Sequence, residues 1–198
     1  MPSTAICCTL FAHCFADELA ENYEALAEPA NGYLIRLNQW TMLDDAEATE
    51  TADWSRQIEL ATMLTCEDGV AVSIFVVGEG WAIAVSLGGQ PGPIAAFAPD
   101  EHKAVEQLPF KLLAVENALM TAFPDDVDAE RVDAIFGAMI DQVMTAEEGM
   151  TEIVEMLGCP SDWSRWGWYE TIPEQLFTDP DLAHKVRPLG EAKHFWEE

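Results

Sequence analysis

The stretch from Gly69 to Pro99 limits what this chain can fold into more than any other. It reads as a three-strand antiparallel meander, with strands at 70–77, 81–87 and 93–98. Val70, Val72, Ile74 and Val76 are β-branched, and the run is short and apolar, as a largely buried strand should be. Gly78-Glu79-Gly80 is a joint able to supply the positive φ of a tight hairpin. Gly88-Gly89-Gln90-Pro91-Gly92 breaks the pattern a second time. Pro93 fits the opening of a last strand and not its middle. Residues 70–100 hold two acids, Glu79 and Asp100, and no Lys or Arg, which marks them as the core sheet.

Around this meander the first hundred residues read as strand, helix, strand or short hairpin, helix. Residues 5–11 form a first strand and residues 17–27 a helix with Leu19, Tyr23 and Leu26 on one face. Residues 33–37 and 40–43 read as one bent strand or a hairpin, 44–52 as a polar loop, and 53–65 as a second helix. After Asp100 the pattern is helical. Short residues 101–108 come first, then 110–123, 129–144 and 147–157. Asp128 suits an N-cap, and Gly158 suits the left-handed position that closes a helix.

The expected fold class is therefore α+β. A mostly antiparallel sheet of four to six strands from residues 4–99 is packed with helices and followed by a helical C-terminal half. In terms of organisation, 1–100 is the sheet part, 101–177 is a helical part sharing the same core, and 178–198 is a tail. Within it, residues 182–198 balance Lys185, Arg187 and Lys193 against Glu191, Glu197 and Glu198, and the tail is expected to lie back across an acidic body.

Charge comes next. There are 36 acids against 9 bases, a net of −27, and both flanks of the meander share the excess. Such a chain is repelled by nucleic acid and by anionic membrane, and attracted to basic partners. No apolar run approaches the length of about 18 residues needed to span a bilayer. The N-terminal residues lack the positive region of a signal peptide, since the first basic residue is Arg36, and read as a strand of the mature protein. Five cysteines, odd in number and without a C-x-x-C pair, argue against a disulfide framework and for a reducing cytoplasm.

The candidate chemistry is thin. Cys7, Cys8, His13 and Cys14 contain four soft ligands, but adjacent cysteines on a strand point to opposite faces, so no metal is expected there. Residues 125–130 resemble a calcium loop until Arg131 falls where glycine is required. The glycine-rich joint at 88–92 lacks the Lys-Ser/Thr and the following helix of a phosphate loop. G-x-G-x-x-G, G-x-S-x-G and H-E-x-x-H are all absent, so no catalytic residue and no cofactor is assigned.

Two groups remain as partner-binding candidates. One is the aromatic cluster Trp163, Arg165, Trp166, Trp168 and Tyr169, of the residue types enriched at binding hot spots but better suited to closing the end of a core, with one or two rings left exposed. The other is the acidic group Asp125, Asp126 and Asp128. The reading that follows is a non-catalytic acidic protein that engages a basic protein, as an inhibitor, an immunity partner or a nucleic-acid mimic would. The alternative is an unrecognised enzyme or small-ligand binder with a pocket between sheet and helices, the acidity serving solubility. A third reading is a homo-oligomer joined through residues 163–169.

Overall fold

Side-chain alternation along the strands decides the architecture. The computed structural model describes residues 5–28, 30–51, 54–97, 111–160, 172 and 180–192. Strands β1 (Ala5–Ala12), β2 (Asn31–Leu37), β3 (Trp40–Asp45), β4 (Val70–Val77), β5 (Gly80–Leu87), β6 (Ile94–Phe97) and β7 (Val186–Gly190) form one antiparallel sheet. Their order is β6-β5-β4-β1-β3-β2-β7. Helices α1 (Ala16–Leu26), α2 (Ala46–Thr51) and α3 (Trp54–Leu64) lie among the strands in sequence. Helices α4 (Leu112–Ala122), α5 (Ala129–Ile140) and α6 (Ala146–Met156) follow the meander.

Both faces of the sheet are covered. Ile6, Cys8 and Leu10 of β1, Val72 and Ile74 of β4, and Trp81 and Ile83 of β5 pack in one cluster with Val115, Phe136, Met150 and Val154 of α4–α6. The residues of opposite parity, such as Phe11, Leu34, Leu43 and Ala71, pack with Leu19, Tyr23, Leu60 and Leu64 of α1 and α3. Cys7 and Cys8 thus point to opposite faces, as strand geometry requires. Double coverage is why β4 and β5 are buried almost along their whole length and read as continuous apolar runs.

Large rings pack on both faces. On the α4–α6 side Trp81 stacks on Phe136 at 5.2 Å between centroids and Trp40 meets Phe123 at 5.4 Å, and on the other Trp54 meets Phe75 at 5.8 Å. Burying each such ring contributes on the order of 2–3 kcal/mol. Small residues, Ala82, Ala84 and Ala96, line the other side beneath Trp54 and Phe75, which lets α3 sit close to the strands.

The fold is α+β with an antiparallel sheet, and several finer expectations need correction. The sheet has seven strands and not four to six. The seventh comes from the C-terminal tail, where Val186–Gly190 pairs with β2 and extends the sheet beyond residues 4–99. Of the residues expected as a loop, 44–52, those described, 44–51, are not one. Asp44 and Asp45 end β3, and Asp45 Oδ1 accepts the Ala48 N–H at 2.8 Å, capping α2. Of the two readings offered for 33–37 and 40–43, the hairpin is the one found, β2 against β3, while α5 stops at Ile140 and not at 144. The expected short helix at 101–108 lies outside the described residues.

The helix-end signals hold. Asp128 Oδ1 accepts the N–H groups of Glu130 and Arg131 at 3.0 and 3.3 Å. Gly158 has φ +78°, its N–H donates to Glu155 O, and Cys159 N–H donates to Val154 O, both at 2.9 Å. That is a Schellman closure, and only a residue without a Cβ adopts it at little cost. Thr145 and Glu148 form a reciprocal capping box at the start of α6. Thr145→Ala is expected to cost about 1 kcal/mol, read as a lower urea midpoint at unchanged slope. An unshifted midpoint would show that solvent replaces the cap.

Candidate functional site

Apart from Asp44 and Asp45 at the end of β3 and Glu116 of α4, the described acidic side chains lie at least partly exposed, most of them on helices and turns. The densest run follows α4. From Asp125 to Glu155 the chain carries ten acids and one base, Arg131. Amphipathic periodicity places them: Val132, Ile135, Phe136 and Met139 of α5, and Met150, Ile153 and Val154 of α6, turn inward. Glu130, Asp133, Asp141, Glu147, Glu148 and Glu155 are left exposed.

Between α5 and α6 the connection at 141–145 opens a solvent-facing cleft of about 700 Å³. Val143, Met144, Thr145, Glu147, Glu148, Thr151 and Glu152 line it. Val143 is 80% exposed, an apolar side chain held out beside carboxylates. The Glu148 carboxylate accepts the Thr145 N–H and hydroxyl at 3.0 and 2.8 Å, and these bonds lower its pKa. Arg131 reaches Glu152 at 3.3 Å, an exposed pair of little energetic weight. Glu147 has no partner among the described residues.

Like charges crowd at the edge of this face. Glu116 of α4 is largely buried, and its carboxyl pKa is raised first by burial and then by the charge of Asp133 on α5. A cation approaching α4–α5 would relieve that repulsion.

Asp125, Asp126 and Asp128 lie in the exposed turn between α4 and α5 and belong to this face. Asp128 also spends one oxygen on its cap. Trp163, Arg165, Trp166, Trp168 and Tyr169 lie outside the described residues.

A second polar group, missed in the sequence, is buried at the end of β3. Asp45 is fully buried, and Arg56 of α3 clamps it through Nε at 2.7 Å and Nη2 at 3.1 Å. The Tyr23 hydroxyl donates to Asp45 Oδ2 at 2.5 Å and accepts the Asn31 N–H at 3.1 Å. Burial, followed by the Asp45 charge, pushes the Tyr23 pKa up. Arg56 Nη1 also donates to Glu28 O at 3.1 Å. This network ties α1, α2, α3 and β3 together. Its bonds join side chains to one another and to main-chain groups of the same chain.

Asp44, next to it, points to the other face of the sheet. Its Oδ1 accepts the Thr49 hydroxyl at 2.9 Å, while its buried Oδ2 has no partner among the described residues. Burial holds its carboxyl pKa well above the ordinary range, with Asp45 adding and Thr49 opposing. The clefts at α5–α6, at α1–β7 and at α1–α3 do not include it.

Among the described residues no group of His, Cys, Asp and Glu is arranged to hold a metal, and no helix is long and apolar enough to cross a membrane. No protein-family model, no curated protein and no solved structure matches the chain.

Proposed function

We propose that this is a non-catalytic binding protein whose acidic α4–α6 face engages a basic protein, in the manner of an inhibitor, an immunity partner or a nucleic-acid mimic. One observation carries the reading. The segment Asp125–Glu155, which carries ten acids and a single base, also lines an open cleft in which Val143 stands exposed beside Glu147, Glu148 and Glu152. Acids kept only for solvation need no apolar contact among them, whereas an interface combines an apolar centre with a charged rim. Lysine or arginine side chains fit both parts, because their methylene stems cover apolar surface while their heads reach carboxylates. The same charge repels nucleic acid and anionic lipid. A cytoplasmic setting, in which the target would be met, belongs to this proposal.

The test compares two charge-reversed proteins of equal net charge. In one, Asp133, Glu147 and Glu155 are changed to Lys; in the other, Glu18, Glu21 and Glu50 are changed, on α1 and α2. All six are exposed. Each protein, and the wild type, is used as bait in a lysate of its source organism and eluted on a salt gradient. The wild type should retain one stoichiometric basic protein. Its affinity should fall at least about tenfold between 50 and 300 mM salt. Reversal on α5–α6 should abolish retention, and reversal on α1–α2 should leave most of it. Equal loss in both variants, or a smear of unrelated basic proteins, would reduce the charge to a solvation device.

A further inference from the structure

A pair of thiols stands apart from the acidic face and does not depend on the function proposed for it. Ala12 at the end of β1 pairs with Val70 at the start of β4, so the loops that flank these strands meet at one corner of the sheet. Cys14 lies two residues beyond β1, and Cys66 lies in the turn between α3 and β4. Their Sγ atoms are 2.9 Å apart, about 0.9 Å more than the ~2.05 Å of a formed disulfide. Both residues are half-buried, within reach of a small reagent.

The surrounding backbone is shaped for this approach. His13 has φ +61°, a left-handed conformation that is uncommon outside glycine, and its carbonyl accepts the Cys66 thiol at 3.3 Å. The Cys66 N–H donates to Cys14 Sγ at 3.5 Å. Gly69 closes over the pair. A Cβ at this position would collide with Cys14 Sγ and would stand 2.8 Å from Cys66 Sγ, so only glycine leaves room for both sulfurs. The other three cysteines, Cys7, Cys8 and Cys159, are buried.

We infer that Cys14 and Cys66 form a reversible redox site, in which a low-molecular-weight disulfide such as oxidised glutathione converts the dithiol to an intramolecular disulfide. The order of attack rests on the surroundings of Cys14. Burial, then its hydrogen bond to Cys66, pushes the Cys14 pKa up to about 12, and Cys66, whose thiol also reaches the His13 carbonyl, is taken as the first nucleophile, an order the serine variants below test. The Cys66 thiolate attacks one sulfur of the glutathione disulfide, whose S–S bond breaks, and one glutathione leaves as a thiolate that takes up the proton Cys66 gave up. In the mixed disulfide Cys66 can no longer carry a charge that opposes ionisation of Cys14. Cys14 then loses its proton and attacks the Cys66 sulfur, and the second glutathione leaves and is protonated. Two protein thiols are oxidised and one external disulfide is reduced to two thiols, with no net proton change.

The test uses the full-length protein, reduced and then held in excess oxidised glutathione at pH 8. Intact mass and digestion without reduction are the readouts. The wild type should lose two of its five thiols and the mass of two hydrogens, and give a linked peptide joining Cys14 to Cys66. Cys14→Ser should instead retain one glutathione, on Cys66. Cys66→Ser should react at least about tenfold more slowly, because burial still holds Cys14 protonated. Five persisting thiols, two separate glutathione adducts, or a bond joining any other pair would overturn the site. Equal rates in the two serine variants would overturn the order of attack.

Discussion

Arg56→Ala is expected to destabilise the protein by about 3–5 kcal/mol at neutral pH, the cost of leaving a buried carboxylate without its cation. For a chain of this size that is a fall in Tm on the order of 10 °C. Asp45 is fully buried, and the guanidinium meets both of its oxygens. After the substitution Asp45 keeps the Tyr23 hydroxyl and the Ala48 N–H, two dipoles in place of a charge. The α1 side also loses the bond from Arg56 to Glu28 O. Arg56→Lys retains the charge but cannot make the paired contact, so a smaller loss of about 1–2 kcal/mol is expected. Urea unfolding of the two variants and the wild type checks both figures. A loss below about 1 kcal/mol for Arg56→Ala would class the pair with exposed ion pairs and remove its role as the tie between helices and sheet.

That tie was hidden in the sequence for a physical reason. Asp44 and Asp45 sit in a run whose acids and threonines read as loop. Residues 46–51 have no apolar stripe, because α2 buries only Ala46, Ala48 and Thr49 and depends on the Asp45 cap. The cap itself, an Asp before Ala-Glu-Ala, was the available signal. The seventh strand was hidden for a different reason. Val186–Gly190 is short and contains Pro188, which argues against a strand within a sheet but is tolerated at an edge, and among the described strands β7 pairs only with β2. The balanced charge of residues 182–198 did point in the right direction, since Arg187 meets Asp17 of α1 at 2.7 Å.

By contrast, the meander and the caps of α5 and the end of α6 were legible. Their determinants are local: glycine joints, β-branched runs, Asp128 and Gly158. The Cys14–Cys66 pair was not. Its residues are brought together by the antiparallel pairing of β1 with β4, which no spacing rule encodes. The acidity was legible in amount but not in placement, which depends on which face of each helix turns inward.

Asp44→Asn is expected to change how stability depends on pH. Unfolded, the Asp44 carboxyl ionises at about 3.9. Folded, burial holds it protonated to a much higher pH. Between those two values the native state carries one more proton than the unfolded state, so unfolding releases a proton and becomes easier as pH rises. The contribution of this group is full below about 3.9 and is lost as pH climbs through the folded pKa. One proton corresponds to about 1.4 kcal/mol per pH unit. The stability of the wild type relative to Asp44→Asn should therefore fall by up to about 2.7 kcal/mol between pH 5 and pH 7. The amide of Asn keeps an acceptor for the Thr49 hydroxyl and cannot ionise, so it mimics the neutral acid at every pH. Repulsion among the remaining surface acids is common to both proteins and cancels in the difference. Urea midpoints measured at half-unit intervals from pH 5 to pH 8 would give the two curves. Parallel curves would mean that Asp44 is ionised in the native state, with an unmatched charge in the sheet interior that the packing around Cys8 and Thr49 gives no means of holding.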